Sequence, residues 1–375
     1  EKPKRRRLYF VDNLRTLLII LVVVFHLAVT YGASGHWPYR EGHPDDLTAL
    51  VFTLFTAING TYVIGMFFMI AGYFTPGSYD RKGFGPFLKD RLLRLGIPLL
   101  IYILVFDPLI VWAIGAVVYG SQASLWDFLR GYFGGYRGPG VGPMWFVEGL
   151  LILTVLYTLW RLLPIPDAGW PQREGRLPGN LAVALFALGL GVATFVVHIW
   201  LPIGMIYQPL GLPLPLFPQY ATLFVVGMLA YRGNWLVRIP KAMGKLWFGI
   251  AVFFILVLFP IVFALGGALE GNTAVFMGGL HWQSLAFAVW EEFVGVGIII
   301  ALVVLFREKL DHQGSLAKEM SDSSYAVYFI HAPVLVFLGL ALRGFTLHPL
   351  LKWALLAPVV VALCFVLAYL LRRIP

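Results

Sequence analysis

Runs of about 20 apolar residues recur along the chain, separated by shorter stretches rich in charge, glycine and proline. At 1.5 Å per residue such a run crosses a hydrocarbon core of about 30 Å as a helix. Ten spans are predicted, near 8–33, 48–75, 96–119, 145–163, 179–200, 218–232, 245–265, 284–306, 322–342 and 349–371. The pattern is that of an all-α polytopic membrane protein, one transmembrane domain over 1–375. No internal repeat is visible. Glycine and proline gather at 134–143 and 201–218, where loops are expected. The second of these carries no charge and could dip into the interface or form a wall over an opening.

Composition removes the soluble alternatives: 59% of residues are hydrophobic, 13% are charged, and the mean hydropathy is +0.81. The net charge of +9 does not point to nucleic acid, because the cations form short clusters beside apolar spans, as at lipid headgroups. With ten spans, 22 of the 28 Lys and Arg fall in segments on the side of the termini, and five on the other. That bias predicts cytoplasmic N- and C-termini. The basic start KPKRRR before an apolar run imitates a signal peptide, but the run is too long and holds Asp12 and Arg15, so it reads as the first span. The single cysteine, Cys364, permits no intrachain disulfide.

Polar residues inside the spans mark the candidate chemistry. Asp12 and Arg15 stand at i and i+3 and can pair on one helix face. His26 follows Arg15 by 11 residues, three turns plus about 20°, which places it on the same stripe about 16 Å further along. An imidazole there can act as a general base, and the alternative is a helix-packing hydrogen bond. Ionisable groups at membrane depth cost about 2.5–3.5 kcal/mol each and usually face a protein interior or a watery cavity.

A second group, Arg81, Lys82, Lys89, Arg91 and Arg94, gathers just before an apolar span. Arg91 and Arg94 are spaced to grip phosphate; anchoring to lipid headgroups explains the charge equally well. A third, Ser324, Tyr328 and His331, lies on one face of the ninth span. Ser324 and His331 are about 10 Å apart along the axis, too far for a nucleophile and its base. They suit a tunnel lining or a structural cluster. Asp107, Glu148, Glu291 and Glu292 are further acids at membrane depth, any of which could orient an imidazole. No metal-binding or nucleotide-binding motif is present, so no metal is expected.

Five motifs in order resemble the acyltransferase-3 family of polytopic bacterial membrane proteins, in its glucan-biosynthesis protein C-like branch. They are VDNLR with FH at 25–26, FFMIAGYF at 67–74, FLKDRLLRLGIP, MWFVEGLL and SSYAVYFIHAP. Together they cover nearly the whole chain. Ala71 departs from the serine common in the family, so no polar role is assigned there.

The resemblance implies transfer of an acetyl or succinyl group from cytoplasmic acyl-CoA to a hydroxyl of a carbohydrate or glycan at the outer face of the bacterial inner membrane. It implies His26 as catalytic base, supported by Arg15 with Asp12. Arg91, Arg94 and Lys89 would bind the coenzyme A phosphates, and Tyr328, His331, Ser324 and Glu148 would line the substrate site. The expected partners are acyl-CoA, a glycan acceptor and membrane lipid, not nucleic acid; the oligomeric state stays open. A transporter or flippase for a lipid-linked sugar is the alternative, since it would use the same polar groups as a path. A non-catalytic scaffold would not need a polar stripe on one helix.

Overall fold

A computed structural model describes residues 7–41, 44–135, 140–163, 176–208 and 210–373. Ten apolar helices stand where the pattern places them: α1 (Tyr9–Thr30), α2 (Asp46–Lys82), α3 (Phe84–Tyr119), α4 (Gly142–Trp160), α5 (Asn180–His198), α6 (Leu214–Gly233), α7 (Lys241–Leu265), α8 (Trp282–Lys309), α9 (Ser315–Ala341) and α10 (Pro349–Leu371). Among the described residues no β-strand forms; one isolated bridge joins Tyr207 and Leu212. The basic start up to residue 6, Arg137 and Arg173 lie outside the described residues. Arg7 and Arg372 both reach Asp322, at 3.6 and 3.9 Å, so the start of α1 and the end of α10 meet on one face of the bundle, called here the terminal face.

The largest departure from the expected boundaries lies between α2 and α3, and α9 also begins early, at Ser315 rather than 322. The cationic stretch 76–95 was expected to be a loop, but α2 continues to Lys82 and α3 begins at Phe84, with only Gly83 between them, at φ +72°. A left-handed backbone at that single residue reverses the chain, which glycine does without a Cβ penalty. At 37 residues α2 is about 55 Å long, more than a bilayer core requires, and its basic end extends beyond it. Arg91, Arg94 and Lys89 are therefore helical residues.

Proline shapes α3 and α7. Widened π-type turns cover Leu92–Gly96, Tyr102–Phe106 and Phe254–Leu258, each ending two residues before Pro98, Pro108 or Pro260. A proline ring clashes with the carbonyl four residues back and donates nothing to it, and the wider turn relieves that clash. Before Pro98 the released carbonyl is that of Arg94, and the Tyr325 hydroxyl of α9 donates to it at 2.8 Å. The proline defect thus becomes a tie between α3 and α9.

α8 is the most buried span, whereas α7 and α10 are peripheral. Without a hydrophobic drive between helices in lipid, close approach depends on small residues. A Cβ on Gly72 of α2 would lie 2.0 Å from the Phe224 carbonyl oxygen of α6, and one on Gly227 of α6 equally close to the Met69 oxygen of α2. Gly295 of α8 sits in the same way against the Thr61 carbonyl of α2. We predict that Gly227→Val separates α2 from α6 and lowers stability by about 2–3 kcal/mol, seen as a lower midpoint for thermal loss of the monodisperse peak in detergent.

Candidate active site

His26 lies on the fifth turn of α1. Its Nδ1 is 2.9 Å from the carbonyl of Val22, one turn back. A carbonyl only accepts, so Nδ1 carries the proton and Nε2 presents a lone pair. Among the described residues no carboxylate reaches this ring; the helix's own backbone orients it. His331 of α9 repeats the device, donating from Nδ1 to the Tyr328 carbonyl at 2.5 Å, with Nε2 buried and unpartnered. The two imidazole centroids are 5.1 Å apart. Tyr328 lies beneath, its hydroxyl donating to the Pro143 carbonyl at the start of α4. α9 runs through Pro333 without a break.

The remaining polar residues of the stripe stay at the terminal face. Asp12 accepts from Arg7 Nε at 2.7 Å and lies 3.7 Å from Arg15 Nη1, so its tighter partner is Arg7. Ser324 is buried in the α1–α9 seam, donating to the Met320 carbonyl at 3.0 Å and 3.4 Å from the Thr16 hydroxyl. The structure does not bring Ser324, Asp12 or Arg15 to the paired imidazoles. Of the membrane-depth acids, Asp107 accepts from the Tyr132 hydroxyl and from Gly140 N–H at 3.1 Å, which ties both residues to α3. Glu292 accepts from Thr194 at 3.1 Å and Gln219 at 3.0 Å. Glu148 and Glu291 each keep one buried oxygen without a partner.

The cationic group is less uniform than its charge count suggests, because Asp80 and Asp90 lie within it. Asp90 binds Lys82 Nζ and Arg94 Nε, both at 2.9 Å. Asp80 takes Arg161 and Arg232, both at 3.0 Å. Lys89 and Arg94 are exposed. Arg91 differs: its guanidinium lies 5.2 Å from the Phe87 ring, and its Nε is buried with no hydrogen-bond partner. A desolvated, unsatisfied guanidinium nitrogen is a stronger indication of anion binding than five cations counted in sequence.

The sequence model of a family described as an acyltransferase domain matches residues 8–369. The chain belongs to the acyltransferase-3 family. It is similar to the glucans biosynthesis protein C of Escherichia coli O1:K1, at 23% identity over 348 residues, covering 89% of this chain and 83% of that one. A protein of the same name from Salmonella schwarzengrund (strain CVM19633) is 22% identical over 344 residues, with the same coverage. No solved structure matches the chain. The chain is therefore a multi-pass membrane acyltransferase, and its paired imidazoles are the natural place to seek the reacting groups.

On the side away from the terminal face, residues 31–41 of this acyltransferase form a strap over His26 that neither apolar period nor charge placement marks. Trp37 stacks on His26 with centroids 4.3 Å apart and lies 6.2 Å from His331. Arg40 donates to the Ala33 carbonyl at 2.6 Å, and Glu41 N–H to the Thr30 carbonyl at 2.7 Å. Burial, then the neighbouring Glu41, pushes the Tyr39 hydroxyl up to about 12. Glu41 also pairs with Lys352 of α10, whose ammonium donates to the Leu342 and Phe345 carbonyls at 2.9 and 3.0 Å. Lys352 was counted as a loop charge, yet its side chain is only 4% exposed. The available signal was GHWPYR, an aromatic run directly after a span that carries a histidine. Removing one member of a buried pair strands the other charge. Lys352→Met is expected to cost about 3 kcal/mol of stability, with Glu41→Gln in the same chain restoring part of it, both read from thermal unfolding in detergent.

Proposed function

We propose that this membrane acyltransferase moves an acetyl or succinyl group from cytoplasmic acyl-CoA to a hydroxyl of a glycan at the outer face of a bacterial inner membrane. The observation that carries the reading is the pair of imidazoles in the bundle, each with Nδ1 fixed by its own helix and Nε2 left as a base. His26 Nε2 takes the proton of the acceptor hydroxyl while that oxygen attacks the thioester carbonyl; the C–S bond then breaks and the thiolate receives a proton. Arg91, with the exposed Arg94 and Lys89, holds the coenzyme A phosphates. His331 and Tyr328 line the site, and Glu148, with its unpartnered oxygen, is a hydrogen-bond acceptor for sugar hydroxyls. Asp12 and Arg15 shape the foot of α1. The names of the relatives favour a glucan as acceptor. The charge bias of the terminal-face segments supports cytoplasmic termini.

A transporter for a lipid-linked sugar is a second reading, favoured by the unpartnered Glu291 oxygen at membrane depth. Thiol release from acetyl-CoA or succinyl-CoA that depends on added glucan separates the two, because a transporter releases none. In that assay His26→Ala is expected to lose at least 100-fold in turnover while acyl-CoA affinity changes less than threefold; normal turnover would overturn the assignment. Arg91→Ala is expected to weaken acyl-CoA binding about tenfold, about 1.4 kcal/mol, and unchanged affinity at moderate salt would favour lipid anchoring. Alkaline phosphatase fused after residue 373 is expected to be inactive in cells, and an active fusion would reverse the orientation.

A further inference from the structure

The ring cluster at His26 holds an unspent donor as well as its bases. Trp37 is 8% exposed, and its indole Nε1–H is buried with no hydrogen-bond partner. The other two N–H groups of the cluster are used: His26 Nδ1 on Val22 and His331 Nδ1 on Tyr328. Among the described residues Trp37 therefore supplies the free N–H of this cluster, beside imidazole nitrogens that can only accept. An indole nitrogen donates and never accepts, so an acceptor atom of a ligand can satisfy it. Left without one, such a group costs about 1–3 kcal/mol, and a phenylalanine would give the stacking without that cost.

Resting on the reading that His26 is the base of acyl transfer, we infer that Trp37 Nε1–H donates to the carbonyl oxygen of the acyl group and stabilises the oxyanion. The complementarity is chemical. The acceptor hydroxyl carries a proton and pairs with a lone pair, His26 Nε2. The thioester carbonyl oxygen carries none and needs a donor. As the hydroxyl oxygen bonds to the carbonyl carbon, the π electrons move to that oxygen and the indole N–H holds the charge. When the carbonyl re-forms, the C–S bond breaks and its electrons leave on sulfur, which takes the proton relayed through His26. A fixed donor aimed at developing charge acts in the transition state more than in the ground state. The strap holds that donor through Arg40, Glu41 and Lys352.

The test replaces Trp37 with 3-benzothienylalanine, which keeps the bicyclic stack and puts sulfur in place of N–H, alongside Trp37→Phe. Both are assayed for acyl-CoA thiol release with glucan as acceptor. The expected result is a fall in kcat of about 100-fold in both, with KM for acyl-CoA and glucan within twofold of the parent chain. A benzothienyl variant with kcat within threefold of the parent overturns the inference, even where Trp37→Phe is impaired, because stacking alone then explains the residue. A change confined to KM also overturns it. A parent chain that releases no thiol with any glucan overturns the acyl-transfer reading and this inference with it, whereas failure of the inference alone leaves parent turnover intact.

Discussion

Hydrogen-bond satisfaction inside a bilayer governs this molecule. A span has no water to fall back on, so each polar side chain must find a partner within the protein. The usual solution here is the carbonyl one turn back: Thr30 on His26, Thr56 on Phe52, Asn59 on Phe55, Thr75 on Ala71 and Thr158 on Thr154. His26 uses the same solution at Nδ1, but an imidazole has a second nitrogen, and backbone bonding at one fixes the other as a lone pair. The rule that quiets threonines on neighbouring turns leaves a lone pair free at position 26. Where so many polar groups are satisfied locally, the buried atoms left open stand out, among them those of His331, Trp37, Glu148, Glu291 and Arg91.

Much of the frame was legible in sequence because span length and charge placement are local properties. All ten helices and the shared α1 stripe follow from apolar period and length. The boundary at Gly83 was missed because a helix that leaves the membrane no longer needs an apolar pattern, and 76–82 looks like a loop. The cationic group is less open than its count suggests because Asp80 and Asp90, which such a count leaves out, pair in space with Lys82, Arg94, Arg161 and Arg232. Which group orients His26 was left open by the sequence, since the backbone carbonyl that does so leaves no trace in residue identity. Trp37 escaped notice because its position depends on Glu41 meeting Lys352, 311 residues away, a pairing that no window of sequence contains.

The two ends of α1 belong to different networks. At the terminal face Asp12, Arg7, Asp322 and Arg372 join the start of α1 to α9 and the end of α10. At the other end the strap leaves Thr30, and Asp45 caps α2, where two bonds from Thr48, first from its hydroxyl and then from its N–H, hold the carboxyl down to about 2. His26 lies between two fixed ends on a helix packed by α2, α8, α9 and α10, so substrates must be brought to it.

α9 is the element that can register them. Tyr325, Tyr328 and His331 follow one another at three-residue intervals along about 9 Å of helix. Tyr325 holds the Arg94 carbonyl that Pro98 released, Tyr328 holds the Pro143 carbonyl at the entrance to α4, and His331 faces His26. The turn of α3 that carries Arg91 and Arg94 and the imidazole pair are therefore set by consecutive turns of the same helix. Proline in α3 does more than bend a helix: by freeing one carbonyl, it gives α9 a fixed contact with the turn that carries Arg91 and Arg94, on the same helix that presents His331 to His26.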